Sequence, residues 1–228
     1  MRLFSGPLSL FGAKAQIAAL EKRLVFELVM VPFDRNDRYR PQHPDVARIN
    51  PKGQVPVLID ARGAEVVEIF DSTQIFEYLE DLQPEPALWP ASVAARARAR
   101  QLELLCDEVL FAQVLKLFGL QDAMDSDAAR AACAACAAFY ERLEARLADQ
   151  EFLAGSYSYA DIACYMTLVF AERKGAPLTP ATPRLMAWRE RVGARPAVAE
   201  VVGAMARFLA SQNRPVPAYL QHHLGPQD

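Results

Sequence analysis

No apolar run in these 228 residues reaches the length of about 18 that a membrane-spanning helix needs. The N-terminal stretch, residues 1–5, also lacks the long apolar core of a signal peptide. Basic residues are not in excess, because 25 Lys and Arg stand against 28 Asp and Glu, a formal net charge of −3. That balance argues against a nucleic-acid-binding function. We therefore expect a cytoplasmic protein that engages neither membranes nor nucleic acids.

Cysteine is scarce, and each of the four cysteines lies within a helical pattern: Cys106, Cys133, Cys136 and Cys164. This usage favours free thiols in a reducing compartment. Cys133 and Cys136 form a C-x-x-C, but they lie one helical turn apart on an alanine-rich segment. No second cysteine pair or histidine is nearby, so the spacing argues against a metal or redox site, and we expect no metal.

The first 82 residues alternate between strand and helix patterns. Helix patterns begin at Phe11, where the apolar positions follow a helical period, and at Asp71. Short β-type runs separated by Gly and Pro signals indicate strands at 2–5, 24–31, 55–60 and 65–70. Residues 33–50 are highly charged and contain two prolines, so they indicate a loop with about one helical turn. The order predicts an α/β domain of thioredoxin type.

Beyond this region the strand patterns end. Residues 83–91 form a linker, because three prolines prevent a helix from running through it. Helical patterns follow at 92–119, 126–148, 158–174, 181–193 and 196–210. The sequence therefore predicts domain 1–82, linker 83–91 and an all-helical bundle at 92–228, with an extended tail from Asn213.

The segment Asn50–Asp60 places Pro56 where a strand should begin. Proline cannot donate to a sheet ladder, so it belongs at the first residue of a strand or at an edge. If the Val55–Pro56 bond is cis, the backbone N–H and C=O of Val55 point outward and can pair with an extended peptide. X-Pro bonds are cis in only about 5–6% of cases, so spacing alone does not decide this.

Two further motifs accompany this segment: the loop Pro7-Leu8-Ser9 after the first strand, and Asp71-Ser72 at a helix start. Together the three resemble the N-terminal domain of the glutathione S-transferase superfamily. The resemblance implies a thioredoxin-like glutathione-binding domain followed by a helical domain. It also implies glutathione as co-substrate, a homodimer and a role in detoxification.

Within that resemblance Ser9 occupies the position of the catalytic Ser or Cys and faces the glutathione sulfur. The chemistry needs a thiolate, whereas a free thiol with a pKa near 8.5 is mostly protonated at neutral pH. A hydroxyl that donates to sulfur favours the charged form, and the N-terminus of the following helix adds positive potential. Phe4 lacks a hydroxyl, and Ser5 is a weaker candidate. Ser9 could instead be only a helix N-cap.

The resemblance also assigns residues to the two ends of glutathione. Ser72 would bind the γ-glutamyl carboxylate through its hydroxyl and N–H, and Asp71 would accept from the ammonium. The superfamily more often has Glu or Gln at the place of Asp71. His43 would lie near the glycine end, with Gln54 and Lys52 as lesser candidates, while Val55 and Pro56 hold the backbone. A simple helix cap at Asp71 or Ser72 is compatible with these roles.

The electrophilic substrate would lie against an apolar side of the helix 92–119. Helical spacing, together with the start of the first helix, selects Phe11, Phe111, Val114, Leu115 and Phe118. Such a stripe is equally typical of a helix core. Ser158 and Asp161 fit an S-x-x-D capping box, which indicates a role in folding rather than catalysis.

The motifs favour a glutathione transferase acting on a small apolar electrophile by conjugation, dehalogenation, ether cleavage or isomerisation. A thiol-disulfide reductase is disfavoured, because Ser9 stands where its cysteine would be. A second hypothesis is a non-catalytic protein of the same fold, of the stringent-starvation-protein type that binds RNA polymerase. A third is a carrier of apolar molecules.

Overall fold

The computed structural model describes residues 1–34, 39 and 42–225. The chain forms two compact units: Met1–Ala87 together with Glu200–Arg214, and Leu88–Ala199 together with Pro215–His222. The expected linker, residues 83–91, spans the change from the first unit to the second. Glu200–Arg214 groups with the first unit although it follows most of the second unit in the sequence.

Four short strands form the sheet of the first unit within the described residues. They are β1 (Arg2–Ser5), β2 (Glu27–Met30), β3 (Val57–Asp60) and β4 (Val67–Phe70). The order is β2-β1-β3-β4, with β1 parallel to β2 and antiparallel to β3, and β3 antiparallel to β4. Each strand except β1 is shorter than predicted. The third begins at Val57 because Pro56 has no N–H for the ladder.

Besides the part of a later helix within Glu200–Arg214, the described residues of the first unit form α1 (Leu10–Glu21), α2 (Pro44–Ile49) and α3 (Ser72–Leu82). The predicted helical turn within 33–50 is α2, while residues 35–38, 40 and 41 lie outside the described residues. Because successive strand side chains point to opposite faces, the sheet has two apolar sides. The core residues divide into one group, Leu3, Ala15, Ala19, Leu58, Ile75 and Leu79, and a second, Phe4, Val31, Val46, Val57 and Ile59.

Helices dominate the second unit, as predicted. They are α4 (Val93–Leu104), α5 (Phe111–Gly119), α6 (Asp127–Arg146), α7 (Tyr159–Arg173), α8 (Pro183–Gly193) and the start of α9 (Pro196–Ser211). The helical pattern predicted over 92–119 is confirmed, and a π-helical turn, Leu105–Leu110, joins α4 to α5 within it. The tail is not wholly extended as predicted, because a 3-10 helix covers Ala218–Leu224.

The buried start of α7 confirms the predicted capping box. Ser158 and Asp161 form the box, and the Asp161 carboxylate also accepts from Leu153 N at 2.9 Å and from Trp188 Nε1 at 2.8 Å. Burial raises the pKa of Asp161, against the opposing effect of these hydrogen bonds. The box thus joins α7, α8 and the preceding loop in the core of the second unit.

No helix in the described part of the chain is both long and apolar enough to cross a membrane. Among the same residues, no group of three or more His, Cys, Asp or Glu side chains is arranged to hold a metal ion.

Candidate active site

The sheet topology brings three predicted motifs to one edge. Strand β4 runs parallel to β1, because each is antiparallel to β3. The register pairs Phe4 with Val57, and Val57 with Phe70. The end of β1, the start of β3 and the end of β4 therefore lie side by side. The loop to Ser9, the Val55–Pro56 turn and Asp71 all adjoin this edge.

Ser9 is the N-cap of α1. Its backbone is extended, with φ −95° and ψ 115°, and its Oγ accepts from Gly12 N at 3.0 Å. The loop is tight, since Ser9 N donates to Gly6 O at 3.0 Å. Capping uses an acceptor lone pair of the hydroxyl oxygen and leaves its hydrogen to be donated. The cap role and the predicted donor role of Ser9 are therefore compatible.

The other two residues considered on β1 point into the protein. Phe4 and Ser5 are both 0% exposed. The Phe4 ring lies 4.9 Å from the His43 ring, centre to centre. Ser5 Oγ accepts from Gln16 Nε2 at 2.6 Å. Ser5 is thus an internal hydrogen-bonding group, which weakens its candidacy as a direct sulfur donor.

The turn before β3 is held by Asn50. Asn50 Nδ2 donates to Gln54 O at 2.6 Å, and Asn50 Oδ1 accepts from Lys52 N at 3.0 Å. The side chain is buried, at 4% exposed. The Val55–Pro56 bond is cis, as the resemblance led us to expect. Gln54 is exposed and Val55 half-buried, so the turn presents both at its surface.

Asp71 precedes α3 with an unusual backbone, at φ 78° and ψ 133°. Its Oδ1 accepts from Thr73 N at 3.0 Å and from Gln74 N at 3.3 Å, so Asp71 caps the helix. Both bonds go to one oxygen, which leaves Oδ2 outside the cap. Ser72, the next residue, is buried, at 1% exposed. The Asp71 carboxylate thus takes the N–H groups of Thr73 and Gln74, and not the N–H of Ser72, which the sequence analysis assigned to the ligand.

His43 is the N-cap of α2. Its Nδ1 accepts from Asp45 N at 3.2 Å, so in the neutral ring Nε2 carries the hydrogen. The half-buried ring packs on Phe4, which fixes its orientation. His43 therefore offers a donor, the chemistry that a carboxylate at the glycine end would require.

Comparison with known proteins assigns both parts of the chain to one family. The sequence model of the glutathione S-transferase N-terminal domain matches residues 8–82, and that of the C-terminal domain matches residues 109–196. The chain belongs to the glutathione S-transferase superfamily. Its thioredoxin-like first unit and helical second unit are the two parts of the glutathione S-transferase fold.

Several superfamily relatives are similar over different shares of their length. The chain is 30% identical to glutathione S-transferase 3 of Zea mays over 216 residues, 90% of this chain and 94% of the relative. It is 32% identical over 118 residues to the uncharacterized GST-like protein YibF of Escherichia coli K12, and 34% identical over 104 residues to the stringent starvation protein A homolog of Coxiella burnetii. Those two matches cover 51% and 45% of this chain and only 54% and 44% of the relatives.

Solved structures of superfamily members share the fold. A glutathione S-transferase from Rhodospirillum rubrum F11 superposes with a TM-score of 0.73 at 29% identity, covering 88% of this chain and 90% of that one. A sphingomonad glutathione S-transferase complexed with glutathione gives a TM-score of 0.73 at 27% identity, over 90% of this chain and 98% of that one.

Tyr39 contacts the loop that precedes Ser9, a contact that the sequence analysis missed. Its hydroxyl accepts from Leu8 N at 3.1 Å, and its ring fills the space beside Gly6, where an added Cβ would lie 2.2 Å from Cε1. Tyr39 thus holds the Gly6–Ser9 loop from a position 31 residues beyond Leu8 in the sequence. The sequence signal for this close approach was Gly6 itself, because glycine has no Cβ and lets another group approach its backbone.

The five residues assigned to the electrophile differ in exposure, and Val114, at 0% exposed, is a core residue that offers no surface to a ligand. Phe11 on α1 is half-buried, with the Lys14 ammonium 5.5 Å from its ring centre. In the second unit Phe111 is buried at 8% exposed, whereas Leu115 is 53% exposed. Phe118 stacks on Phe170 at 6.2 Å between ring centres. Leu115 is the most accessible of these candidates.

The four cysteines are free thiols in the described structure. Burial raises the pKa of the Cys136 thiol to about 11, which keeps it protonated at neutral pH. Cys133, the other cysteine of the C-x-x-C, is half-buried, and its Sγ donates to Gly175 O at 3.4 Å.

Proposed function

We propose that this chain is a glutathione transferase that ionises the thiol of bound glutathione and directs it at a small apolar electrophile. The observation that carries the proposal is the Ser9 cap, whose Oγ accepts from Gly12 N at 3.0 Å and keeps a hydrogen to donate. A hydroxyl that both accepts and donates is polarised, because hydrogen bonds in a chain strengthen one another. The helix N-terminus at the same point favours negative charge.

In this proposal each end of glutathione meets a group of suitable chemistry. Val55, just before the start of β3, pairs with the cysteinyl backbone, so that glutathione is bound like an added strand. Asp71 Oδ2 accepts from the γ-glutamyl ammonium, and Ser72 binds the adjacent carboxylate. His43 Nε2 donates to the glycyl carboxylate, with Gln54 beside it. The tripeptide is thereby held at both ends, with its sulfur facing Ser9.

The reaction then needs little further chemistry from the protein. The thiol proton is released, the thiolate attacks the electrophilic carbon, a C–S bond forms, and the leaving group departs with its bonding electrons. Within the second unit, Phe111, Leu115 and Phe118 would supply an apolar surface for the electrophile. Conjugation, dehalogenation and ether cleavage differ only in the leaving group, and each fits this scheme.

The test is substitution of Ser9 with a matched cap elsewhere as control. We expect Ser9→Ala to lower glutathione-dependent turnover by about 10²-fold, the scale of one charge-stabilising donor. Ser126 caps α6 by accepting from Ala129 N at 3.2 Å, so Ser126→Ala also removes one cap. The control should lose stability and keep its turnover. Equal turnover in wild type and Ser9→Ala would remove Ser9 from the mechanism.

The stringent starvation protein A homolog favours a second candidate function, a non-catalytic interaction module of this fold. Such a module would keep the scaffold without needing glutathione. Retention of the wild-type chain on a glutathione-affinity column, with elution by free glutathione, supports the enzyme. Clean flow-through at neutral pH supports the module.

We further propose a homodimer in the cytoplasm, as the superfamily resemblance implies. The assay for the dimer is size-exclusion chromatography with light scattering across a dilution series. A mass that stays at 25.3 kDa at every concentration would contradict it.

A further inference from the structure

The buried polar groups beneath the Ser9 loop have no role in the function proposed above. Gln16, on α1, is 7% exposed, and Ser5, at the end of β1, is 0% exposed. Gln16 Nε2 donates to Ser5 Oγ at 2.6 Å and to Gly12 O at 3.3 Å. One amide therefore ties the end of β1 to the first turn of α1.

Gly12 is the point on which these contacts converge. A Cβ added to Gly12 would lie 2.2 Å from Ser5 Oγ and 3.0 Å from Ser9 Oγ. The Ser5 hydroxyl thus packs directly against the Gly12 Cα, on the side where any other residue would carry its side chain. The Gly12 N–H is the group that donates to Ser9 Oγ.

We propose that Gln16 and Ser5 are positioning residues for Ser9, acting through Gly12. Gln16 holds the Gly12 carbonyl and Ser5 abuts its Cα, so together they fix the direction of the Gly12 N–H. That N–H in turn orients and polarises the Ser9 hydroxyl. Loss of either side chain lets the first turn of α1 relax and weakens the hydroxyl as a donor.

This inference rests on the proposed function for its catalytic consequence, but its structural part does not require a ligand. Gln16→Met keeps the length of the side chain and removes the amide, while Ser5→Ala removes only the hydroxyl. In the ligand-free protein, each variant should accelerate hydrogen exchange of the Gly12 amide by about tenfold, a change readable by NMR. Unchanged Gly12 exchange in both variants would overturn the inference.

With glutathione bound, the readout is the pKa of the bound thiol, followed by the ultraviolet absorbance of the thiolate. We expect both variants to raise this pKa by about half a unit to one unit and to lower kcat about tenfold or less. The KM for the electrophile should change less than about twofold. A thiol pKa and kcat equal to wild type would overturn the inference even where the variants are less stable.

A control separates positioning from general loss of stability. Tyr78 OH donates to Asp60 Oδ2 at 2.9 Å, at the opposite edge of the sheet, so Tyr78→Phe removes a comparable contact. It should lower stability without moving the bound-thiol pKa, and an equal pKa shift there would overturn the inference.

A second pair of variants addresses the steric contact. Gly12→Ala should fold poorly, and the double variant Gly12→Ala with Ser5→Ala should recover folded yield. No recovery would contradict the packing of Ser5 on Gly12. If the wild type binds no glutathione, the proposed function fails. The hydrogen-exchange rate of the Gly12 amide in the two variants still tests whether Gln16 and Ser5 position the start of α1.

Discussion

Asp71 gives a quantitative test of how the start of α3 serves both folding and binding. At φ 78° and ψ 133° it adopts a backbone conformation that residues with a Cβ rarely occupy, at a cost of about 1–3 kcal/mol. Its carboxylate offsets part of that cost by capping the N–H groups of Thr73 and Gln74, an interaction worth about 1 kcal/mol.

Asp71→Asn isolates the charge, because Asn also caps helices and tolerates positive φ. We expect the free energy of unfolding to change by less than about 0.5 kcal/mol. Glutathione affinity should fall about 3- to 10-fold, since an exposed ion pair to the ammonium contributes about 1 kcal/mol. Isothermal titration calorimetry measures the affinity, and Asp81→Asn, an exposed carboxylate at the other end of α3, is the matched control.

The same position tests the backbone argument separately. Asp71→Gly and Asp71→Ala both lose the carboxylate, but only Gly relaxes at positive φ. Gly should therefore be more stable than Ala by about 1 kcal/mol or more in urea unfolding. Wild-type affinity in Asp71→Asn would refute the ammonium contact. An Ala variant as stable as the Gly variant would refute the backbone reasoning.

Two further predictions concern stability. The Arg62 guanidinium holds the pKa of the buried Asp60 well below its usual range. Because the folded pKa lies below the unfolded value near 3.9, this stabilisation is complete above about pH 5 and is lost as the pH falls through the folded pKa. The gap in unfolding free energy between wild type and Asp60→Asn should narrow below about pH 4, and a constant gap would contradict this. Asp161→Ala leaves buried donors on Leu153 and Trp188 without their acceptor and should cost about 3 kcal/mol or more, measured by urea unfolding; a loss below about 1 kcal/mol would refute it.

Local sequence signals predicted the order of elements in both units, because periodicity and Pro or Gly punctuation act within a few residues. The π-helical turn Leu105–Leu110 could not be predicted, since LCDEVL contains neither proline nor glycine. Helix irregularities of this kind depend on packing against distant elements. The prediction of an extended tail was wrong for a different reason. Pro215 and Pro217 precede the 3-10 helix at Ala218–Leu224 and do not interrupt it.

In the candidate site, too, contacts within a short segment were predictable from the sequence, and contacts between distant segments were not. The positions of Ser9 and Asp71 as helix caps were predictable, because each adjoins a helix start, where a short polar side chain can accept from the first-turn N–H groups. The cis bond at Val55–Pro56 followed only from the resemblance to a family. Tyr39 and the Gln16–Ser5 contact join segments distant in sequence, and no local pattern encodes such pairings.

Three of the residues assigned to glutathione are also helix N-caps: Ser9 for α1, His43 for α2 and Asp71 for α3. Each of them uses one atom to cap its helix and has another atom that can contact glutathione. A substitution that removes both atoms therefore lowers the free energy of unfolding and the affinity for glutathione together. Bound glutathione should in turn stabilise the folded protein, because it would contact the starts of three helices. Glutathione at about 100 times its Kd should raise the free energy of unfolding by about 2.7 kcal/mol. At that same glutathione concentration the increment should shrink in Asp71→Asn and persist in Ser126→Ala, whereas an equal increment in both would show that the Asp71 carboxylate is not a ligand contact.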